Sequence, residues 1–214
     1  MEVRNECGAD GLVAGIVIAR QIKVGTSPEP LARKLTDLVR ERSLQDFPPG
    51  ELKNSVRSLL RKGGFKPTGR NKPASEYLAQ AAREGRFPFI NNLVDVNNYI
   101  SLLSGLPVSL LDSAVVGEHA ILRKGKPGES YVFNQAGQMI DLEGLVCLCS
   151  GNGEPMGNPV KDSMAAKIGD STSQVIGVIY SPLQAGESIE KITSLFADML
   201  CEYGDTRDAE ARVV

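Results

Sequence analysis

Residues 90–112 read INNLVDVNNYISLLSGLPVSLLD, and this stretch decides the fold. Apolar side chains recur at helical spacing through residues 91–104. Gly105 follows, and Pro107 stands just beyond it, which is the usual signal for the end of a helix. The stretch therefore predicts a helix that ends at Ser104.

Polar residues of this predicted helix gather on one face. At helical spacing Asn91, Asp95 and Asn98 align. Asparagine is a poor helix former, so the adjacent Asn97 and Asn98 need a structural or functional reason. Their amides either satisfy neighbouring loop backbone or face a ligand, and the sequence leaves both interpretations open.

Helical patterns dominate the chain before this stretch, and strand patterns dominate it afterwards. An apolar, β-branched run at residues 12–24 predicts a first strand that joins the later sheet. Ser27 offers a capping hydroxyl to a helix that Pro28 opens. Further patterns predict helices at residues 52–60, 73–84 and 189–200 and strands at residues 120–124, 130–133, 139–142, 145–149 and 175–180. We expect an α+β fold in which N-terminal helices pack on a mixed sheet or sandwich formed mainly by the C-terminal half.

The composition is that of a globular protein. The chain has 214 residues, 42% of them hydrophobic, which is enough for one well-packed core. We expect a single domain over residues 1–204 and a charged, frayed tail over residues 205–214. No apolar run approaches the ~20 residues of a membrane span, so we predict a cytoplasmic protein without a membrane partner.

The four cysteines are too sparse for a disulfide framework, and we expect them to be reduced. Cys147 and Cys149 fall on one face of a predicted strand, where burial is the usual role of free cysteine. A metal site would need more soft ligands than the single histidine, His119, supplies. We predict neither a metal nor another cofactor.

The net charge of −2 conceals an asymmetry, since residues 1–90 carry +6 and residues 91–214 carry −8. Between Lys53 and Arg86, nine basic residues face only two acidic ones. Gathered on one surface, they would meet a phosphate backbone; otherwise they are the solvated faces of two amphipathic helices. The candidate RNA-binding residues are Arg61, Lys62, Lys66, Arg70 and Lys72.

The central stretch resembles the B3/B4 domain of the phenylalanyl-tRNA synthetase β subunit. Residues 91–99 are similar to that family's Asn-x-x-Val-Asp-x-x-Asn-Tyr helix, and residues 105–112 to the Gly-x-Pro-x-x-x-x-Asp loop that follows it. Residues 73–78, PASEYL, are similar to the segment that opens free-standing B3/B4 proteins. The resemblance covers about residues 60–182.

In the synthetase this domain is an editing module, which receives the charged end of the tRNA and hydrolyses the ester of a wrong amino acid, chiefly tyrosine. The resemblance therefore implies an amino-acid-sized pocket beside an RNA-binding surface. Ser109 stands where the family has a histidine, Asp162 or Ser163 falls near its glutamate, and Thr172 matches its threonine.

Hydrolysis of an ester needs a positioned, partly deprotonated water and a stabilised oxyanion. Ser109 is no base at neutral pH, but it could orient a water, or the substrate's ribose hydroxyl could activate one. Asp112 and Arg123 are either a pocket pair or a surface salt bridge. The candidate catalytic residues are Ser109, Asp162 and Thr172, and the candidate substrate-binding residues are Asn91, Asp95, Asn98, Ser109, Asp112, Arg123 and Ser163.

Two functional hypotheses follow. The first is a tRNA-binding protein that hydrolyses mischarged aminoacyl-tRNA in trans. The second is a non-catalytic module that binds an amino acid or a related small metabolite in the same pocket. The absence of the family's histidine and the acidic second half of the chain favour this hypothesis. A scaffold without a ligand is a third alternative. Nothing resembles an ATP-binding aminoacylation core, so we expect no ligase activity.

Overall fold

A computed structural model of the protein describes residues 1–183 and 189–214. The described residues form six α-helices and ten strands. The helices are α1 (Glu29–Ser43), α2 (Gly50–Arg61), α3 (Ala74–Arg83), α4 (Asn92–Ser104), α5 (Ser113–Val116) and α6 (Ile189–Gly204). The strands are β1 (Glu2–Asn5), β2 (Leu12–Arg20), β3 (Val108–Asp112), β4 (His119–Lys124), β5 (Ser130–Val132), β6 (Met139–Asp141), β7 (Val146–Ser150), β8 (Pro155–Gly157), β9 (Gln174–Pro182) and β10 (Asp208–Val213).

Eight of these strands form two four-stranded sheets. The first sheet has the order β1-β4-β7-β8, and the second has the order β10-β2-β9-β3. Only the β1–β4 pair is parallel among the described strand pairs, so the first sheet is mixed and the second is antiparallel. Strands β5 and β6 pair separately. The predicted first strand does join the later sheet, because β2 pairs with β9 along its whole length.

Strand β2 shows why the second sheet is buried on both faces. Ala14, Ile16 and Ile18 belong to the apolar cluster that fills the space between the two sheets. Val17 and Ala19 alternate with them and belong to the cluster beneath the helices. All five side chains are buried, as expected of a continuous apolar run in a central strand. The layers are therefore helices, second sheet and first sheet, which confirms the predicted α+β fold.

Helices α4 and α6 cover the outer face of the second sheet. Leu93 and Ile100 of α4 share an apolar cluster with Phe196 of α6. The sheet approaches α6 so closely at Gly177 that a Cβ atom there would lie 2.4 Å from a ring carbon of Phe196. Gly105 ends α4 in the left-handed region, with φ of 76°, which confirms the predicted end of the helix.

The cysteines of β7 are core residues. Cys147 and Cys149 lie in one apolar cluster and are both buried, which confirms the prediction. Burial raises the pKa of both thiols, that of Cys149 to about 12. Within the described residues, no group of three or more His, Cys, Asp or Glu side chains could hold a metal ion.

The chain end departs from the sequence-based expectation. Residues 205–214 were expected to be frayed, but β10 pairs antiparallel with β2 from Asp208 opposite Arg20 onward. Arg20 also forms ion pairs with Asp208 at 3.2 Å and with Glu210 at 2.8 Å. The charged side chains that suggested a solvated tail are thus the exposed side of an edge strand. Over residues 1–183 and 189–214, no helix has the length and apolar character needed to span a membrane.

Candidate functional site

A cavity of about 740 Å³ opens between the helical layer and the edge of the second sheet. Helices α3 and α4 line it together with strand β3 and the segment 160–168. Pockets for small molecules commonly enclose ~300–1,000 Å³, so this volume suits a ligand of that size.

One wall of the cavity is apolar. Strand β3 contributes Val108 and Leu110, while the alternating Ser109 and Leu111 point to the other side of the strand. The helices and the loops complete the wall with Leu78, Ile90, Val94 and Ile168. This wall can bury an apolar side chain or the flat face of a ring.

Two asparagines of α4 form the polar part of the lining. Asn97 and Asn98 are both buried, with 9% and 7% of their surfaces exposed, and both line the cavity. The Nδ2 atom of Asn97 lies 3.5 Å from Oδ1 of Asn98, and Oδ1 of Asn97 has no hydrogen-bond partner within the described residues. Neither amide bonds to loop backbone there. The geometry favours the ligand-facing interpretation, because a buried polar atom without a partner is costly.

Asp162 also lines the cavity. Its Oδ1 accepts hydrogen bonds from Ser109 Oγ at 2.6 Å and from the backbone N–H of Asn158 at 3.2 Å. No hydrogen bond to Oδ2 exists among the described residues. Burial raises the pKa of Asp162 to about 7, against the lowering effect of these two bonds and of the Lys167 charge. A carboxyl group that titrates near neutral pH suits proton transfer.

Ser109 supports Asp162 and lies outside the cavity lining. Its side chain is fully buried, and its Oγ lies 3.3 Å from the carbonyl oxygen of Asn158 and 3.3 Å from the hydroxyl oxygen of Tyr180. Ser109, which the resemblance places at the family's histidine position, therefore holds a neighbouring acid.

Most of the charged side chains that line the cavity are cationic. Asp162 is the one carboxylate among the described lining residues. The basic residues that line the cavity are Arg70, Lys72, Arg86, Lys161 and Lys167. An anionic group on the ligand would thus meet an excess of positive charge.

The start of α4 explains two of the predicted substrate-binding residues differently. Asn91 caps the helix, since its side chain accepts a hydrogen bond from the backbone N–H of Val94 at 2.9 Å. Asp95 accepts hydrogen bonds from Ser27 Oγ at 2.6 Å and from the Ile90 N–H at 2.9 Å. Both residues position the helix, and neither lines the cavity.

Four further candidates lie outside the cavity lining. Asp112 accepts a hydrogen bond from Thr172 Oγ1 at 2.7 Å. Arg123 binds both carboxylate oxygens of Glu129, at 2.7 and 2.8 Å. In the described structure, Asp112 and Arg123 therefore form neither the suggested pocket pair nor the alternative salt bridge with each other. Ser163 caps a short 3-10 helix.

The predicted RNA-binding residues divide into two groups. Arg70 and Lys72 line the cavity, whereas Arg61, Lys62 and Lys66 do not. Lys62 turns away and donates a hydrogen bond of 2.5 Å to the backbone oxygen of Asp10.

Two cations of the cavity were missed by sequence reasoning. Lys161 and Lys167 stand in the acidic half of the chain, where no basic run marks them. The available signal was their closeness in sequence to Asp162. They reach Arg70 and Lys72 only because the chain folds back.

The family can be named from a sequence match. The sequence model of the B3/4 domain matches residues 65–192. The chain belongs to the B3/4 domain family. All the residues that line the cavity of this B3/4 domain fall within the matched part. The predicted resemblance is thereby confirmed.

Comparisons with individual proteins add little to this assignment. No curated protein matches this B3/4 domain. One similar solved structure is the crystal structure of an N-terminal fragment of the phenylalanyl-tRNA synthetase β subunit from Pyrococcus horikoshii, with 10% sequence identity and a TM-score of 0.46. That similarity covers 100% of this chain and 50% of the other, so this chain spans about half the length of that fragment.

Proposed function

We propose that this B3/4 domain binds the aminoacylated end of a tRNA and hydrolyses the ester of a wrongly attached amino acid in trans. The observation that carries the proposal is the position of Asp162. Asp162, whose pKa burial raises to about 7, lines a cavity that also has an apolar wall and an excess of cationic side chains. The amino-acid side chain occupies the apolar part, and the RNA approaches along the cations.

Asp162 is the general base in this reaction. Its carboxylate takes a proton from a water molecule while the water oxygen attacks the ester carbonyl carbon. The tetrahedral intermediate then collapses, the bond to the ribose oxygen breaks, and Asp162 returns the proton to that oxygen. The products are the free amino acid and the tRNA with its terminal hydroxyl group restored.

The buried amides complement this role. Asn97 and Asn98 can donate through their NH₂ groups to the carbonyl oxygen as negative charge develops on it. Oδ1 of Asn97 remains available to the substrate's α-ammonium group. Neither interaction requires a metal ion.

A deacylation assay with Asp162→Asn tests the proposal. The asparagine keeps an acceptor oxygen for Ser109 and Asn158 but cannot take a proton. We expect single-turnover hydrolysis of mischarged tRNA to fall by roughly 10²-fold or more, with the affinity for the tRNA changed little. Asp170→Asn is the matched control, since Asp170 is exposed and lies outside the cavity lining, and it should retain full activity.

Two results would contradict the proposal. The first is wild-type protein that hydrolyses none of a panel of charged tRNAs above the uncatalysed rate. The second is an Asp162→Asn variant with undiminished activity. That result would show that the protein hydrolyses the ester without Asp162 as the general base.

A second candidate function is binding of a free amino acid or related small metabolite without catalysis. The cavity favours it, because a volume of about 740 Å³ suits a molecule of that size. Calorimetric titration with free amino acids should then give saturable heat that depends weakly on salt. Binding through tRNA phosphates should instead weaken steeply as salt rises.

A further inference from the structure

The cations that line the cavity differ in how they are paired. Arg86 forms an ion pair with Glu84, and Lys72 donates a hydrogen bond to the side chain of Gln80. Lys167 donates to the backbone oxygen of Phe133 at 2.7 Å. These three side chains are held by the protein itself.

Arg70 and Lys161 have no such partner. In the described part of the chain, neither side chain takes part in an ion pair or a hydrogen bond. The Nζ atom of Lys161 lies 4.0 Å from the ring centre of Phe133, which holds the ammonium at the cavity without neutralising it. Arg70 is exposed, and its guanidinium keeps all its donors for a ligand.

The charge of Arg70 affects the ionisation of Lys161. Partial burial lowers the pKa of Lys161, and the positive charge of Arg70 lowers it further. Both side chains line the same cavity, and an anion bound between two like charges would offset their repulsion. The unpartnered Oδ1 of the buried Asn97, in the lining of the same cavity, is an independent sign that a ligand completes this site.

We propose that Arg70 and Lys161 form a phosphate-binding site at the opening of the cavity. The planar guanidinium can bind two phosphate oxygens at once, and the lysine adds a point charge. Lys72 and Lys167 line the same cavity and add to the positive potential there. The phosphate is either a diester of an RNA end or the monoester of a free nucleotide.

The inference deepens the proposed function and rests on it where RNA supplies the phosphate. In that case the diester next to the terminal ribose sits on Arg70 and Lys161 while the aminoacyl group enters the cavity. Asp162 is the lining residue whose negative charge would repel a phosphate. Because its pKa is raised to about 7, part of the Asp162 carboxyl groups are neutral at pH 7.

Binding of adenosine 5′-monophosphate and of adenosine provides the test, since the two probes differ only in the phosphate. We expect the wild-type protein to bind the monophosphate at least tenfold more tightly. Arg70→Gln and Lys161→Gln should each remove most of that preference. Lys191→Gln, at an exposed position outside the cavity lining, should leave it unchanged. Thermal unfolding of each variant checks that the fold is intact.

Uncharged tRNA distinguishes the two sources of phosphate. If the variants lose the monophosphate preference and also weaken tRNA binding and reduce its salt dependence, the site takes a phosphodiester. If only the monophosphate preference is lost, the site takes a free nucleotide. Unchanged affinities for all three probes in both variants would overturn the proposal.

The deacylation assay separates this inference from the proposed function. In one outcome the wild-type protein is active, and Arg70→Gln and Lys161→Gln have the same KM and the same monophosphate affinity as the wild type. This outcome would refute the phosphate site alone. In another outcome the wild-type protein does not hydrolyse charged tRNA, but it prefers the monophosphate and the variants lose that preference. This outcome would refute hydrolysis and support the phosphate site.

Discussion

Ser109 Oγ donates a hydrogen bond of 2.6 Å to Oδ1 of Asp162, from the opposite side of strand β3 to the cavity. Ser109 is fully buried and lies close to the hydroxyl of Tyr180, so its position is fixed by the core. The bond favours the ionised form of Asp162 and lowers its pKa against the effect of burial. The serine thus sets the pH at which the carboxyl group can accept a proton.

Replacing Ser109 by alanine should therefore change the pH dependence of hydrolysis. Without the donated bond the pKa of Asp162 rises, and the acid limb of the pH–rate profile should move upward by about one pH unit. The control is Ser181→Ala, a buried serine of β9 that bonds to the carbonyl oxygen of Pro182 and should leave the profile unmoved. An equal loss of rate at every pH, with no displacement of the limb, would argue against this role.

The raised pKa of Asp162 should also make stability depend on pH. The folded state has a pKa of about 7 and the unfolded state one near 3.8, so between these values the folded state binds more protons. The stabilisation that Asp162 gives to the folded state is fully present below pH ~4 and is lost as the pH rises through ~7. Relative to Asp162→Asn, the wild type should lose on the order of 3 kcal/mol between pH 4 and pH 8.

Urea unfolding of both proteins at a series of pH values measures this difference. Asp170→Asn removes an exposed carboxylate and should follow the wild type at every pH. Parallel curves for the wild type and Asp162→Asn would show that Asp162 titrates alike in the folded and unfolded chains, which contradicts the prediction.

The fold was largely predictable because most of its elements carry local patterns. The helical spacing and terminal glycine of α4, and the apolar run of β2, act within a few residues. Strand β3 was missed because Gly105 and Pro107 suggested a loop, and only its pairing with β9 makes it a strand. Ser27 was expected to cap α1, yet its hydroxyl bonds to Asp95, which is 68 positions away in sequence.

The site was less predictable, because it depends on contacts between distant segments. Asp162 was one of two residues that the resemblance placed near the family's glutamate. Its raised pKa follows from burial, which outweighs the lowering effect of the hydrogen bonds from Ser109 and Asn158. Arg70 and Lys161 line the same cavity from segments that are distant in sequence, and no periodicity in either segment indicates this. Thr172, which the resemblance matched to the family's threonine, lies outside the cavity lining and donates a hydrogen bond to Asp112.

Replacing Asn97 by leucine should separate stability from function. Because Oδ1 of Asn97 is buried without a partner in the described structure, an apolar side chain of similar size should raise the free energy of unfolding by about 1 kcal/mol. The same change removes an amide from the cavity and should weaken binding of aminoacyl-tRNA at least tenfold. Urea unfolding and a binding titration measure the two effects.

Asn92→Leu is the matched control for this substitution. Asn92 is equally buried in α4, but its side chain accepts from the Gly25 N–H and donates to the backbone oxygens of Lys23 and Tyr203. Leucine there leaves those groups unpaired and should lower the free energy of unfolding by roughly 2–4 kcal/mol. If Asn97→Leu destabilises the fold as much as Asn92→Leu, Asn97 is structural. The opposite signs expected here would instead assign Asn97 to the ligand, since a polar group kept at a cost to stability serves function.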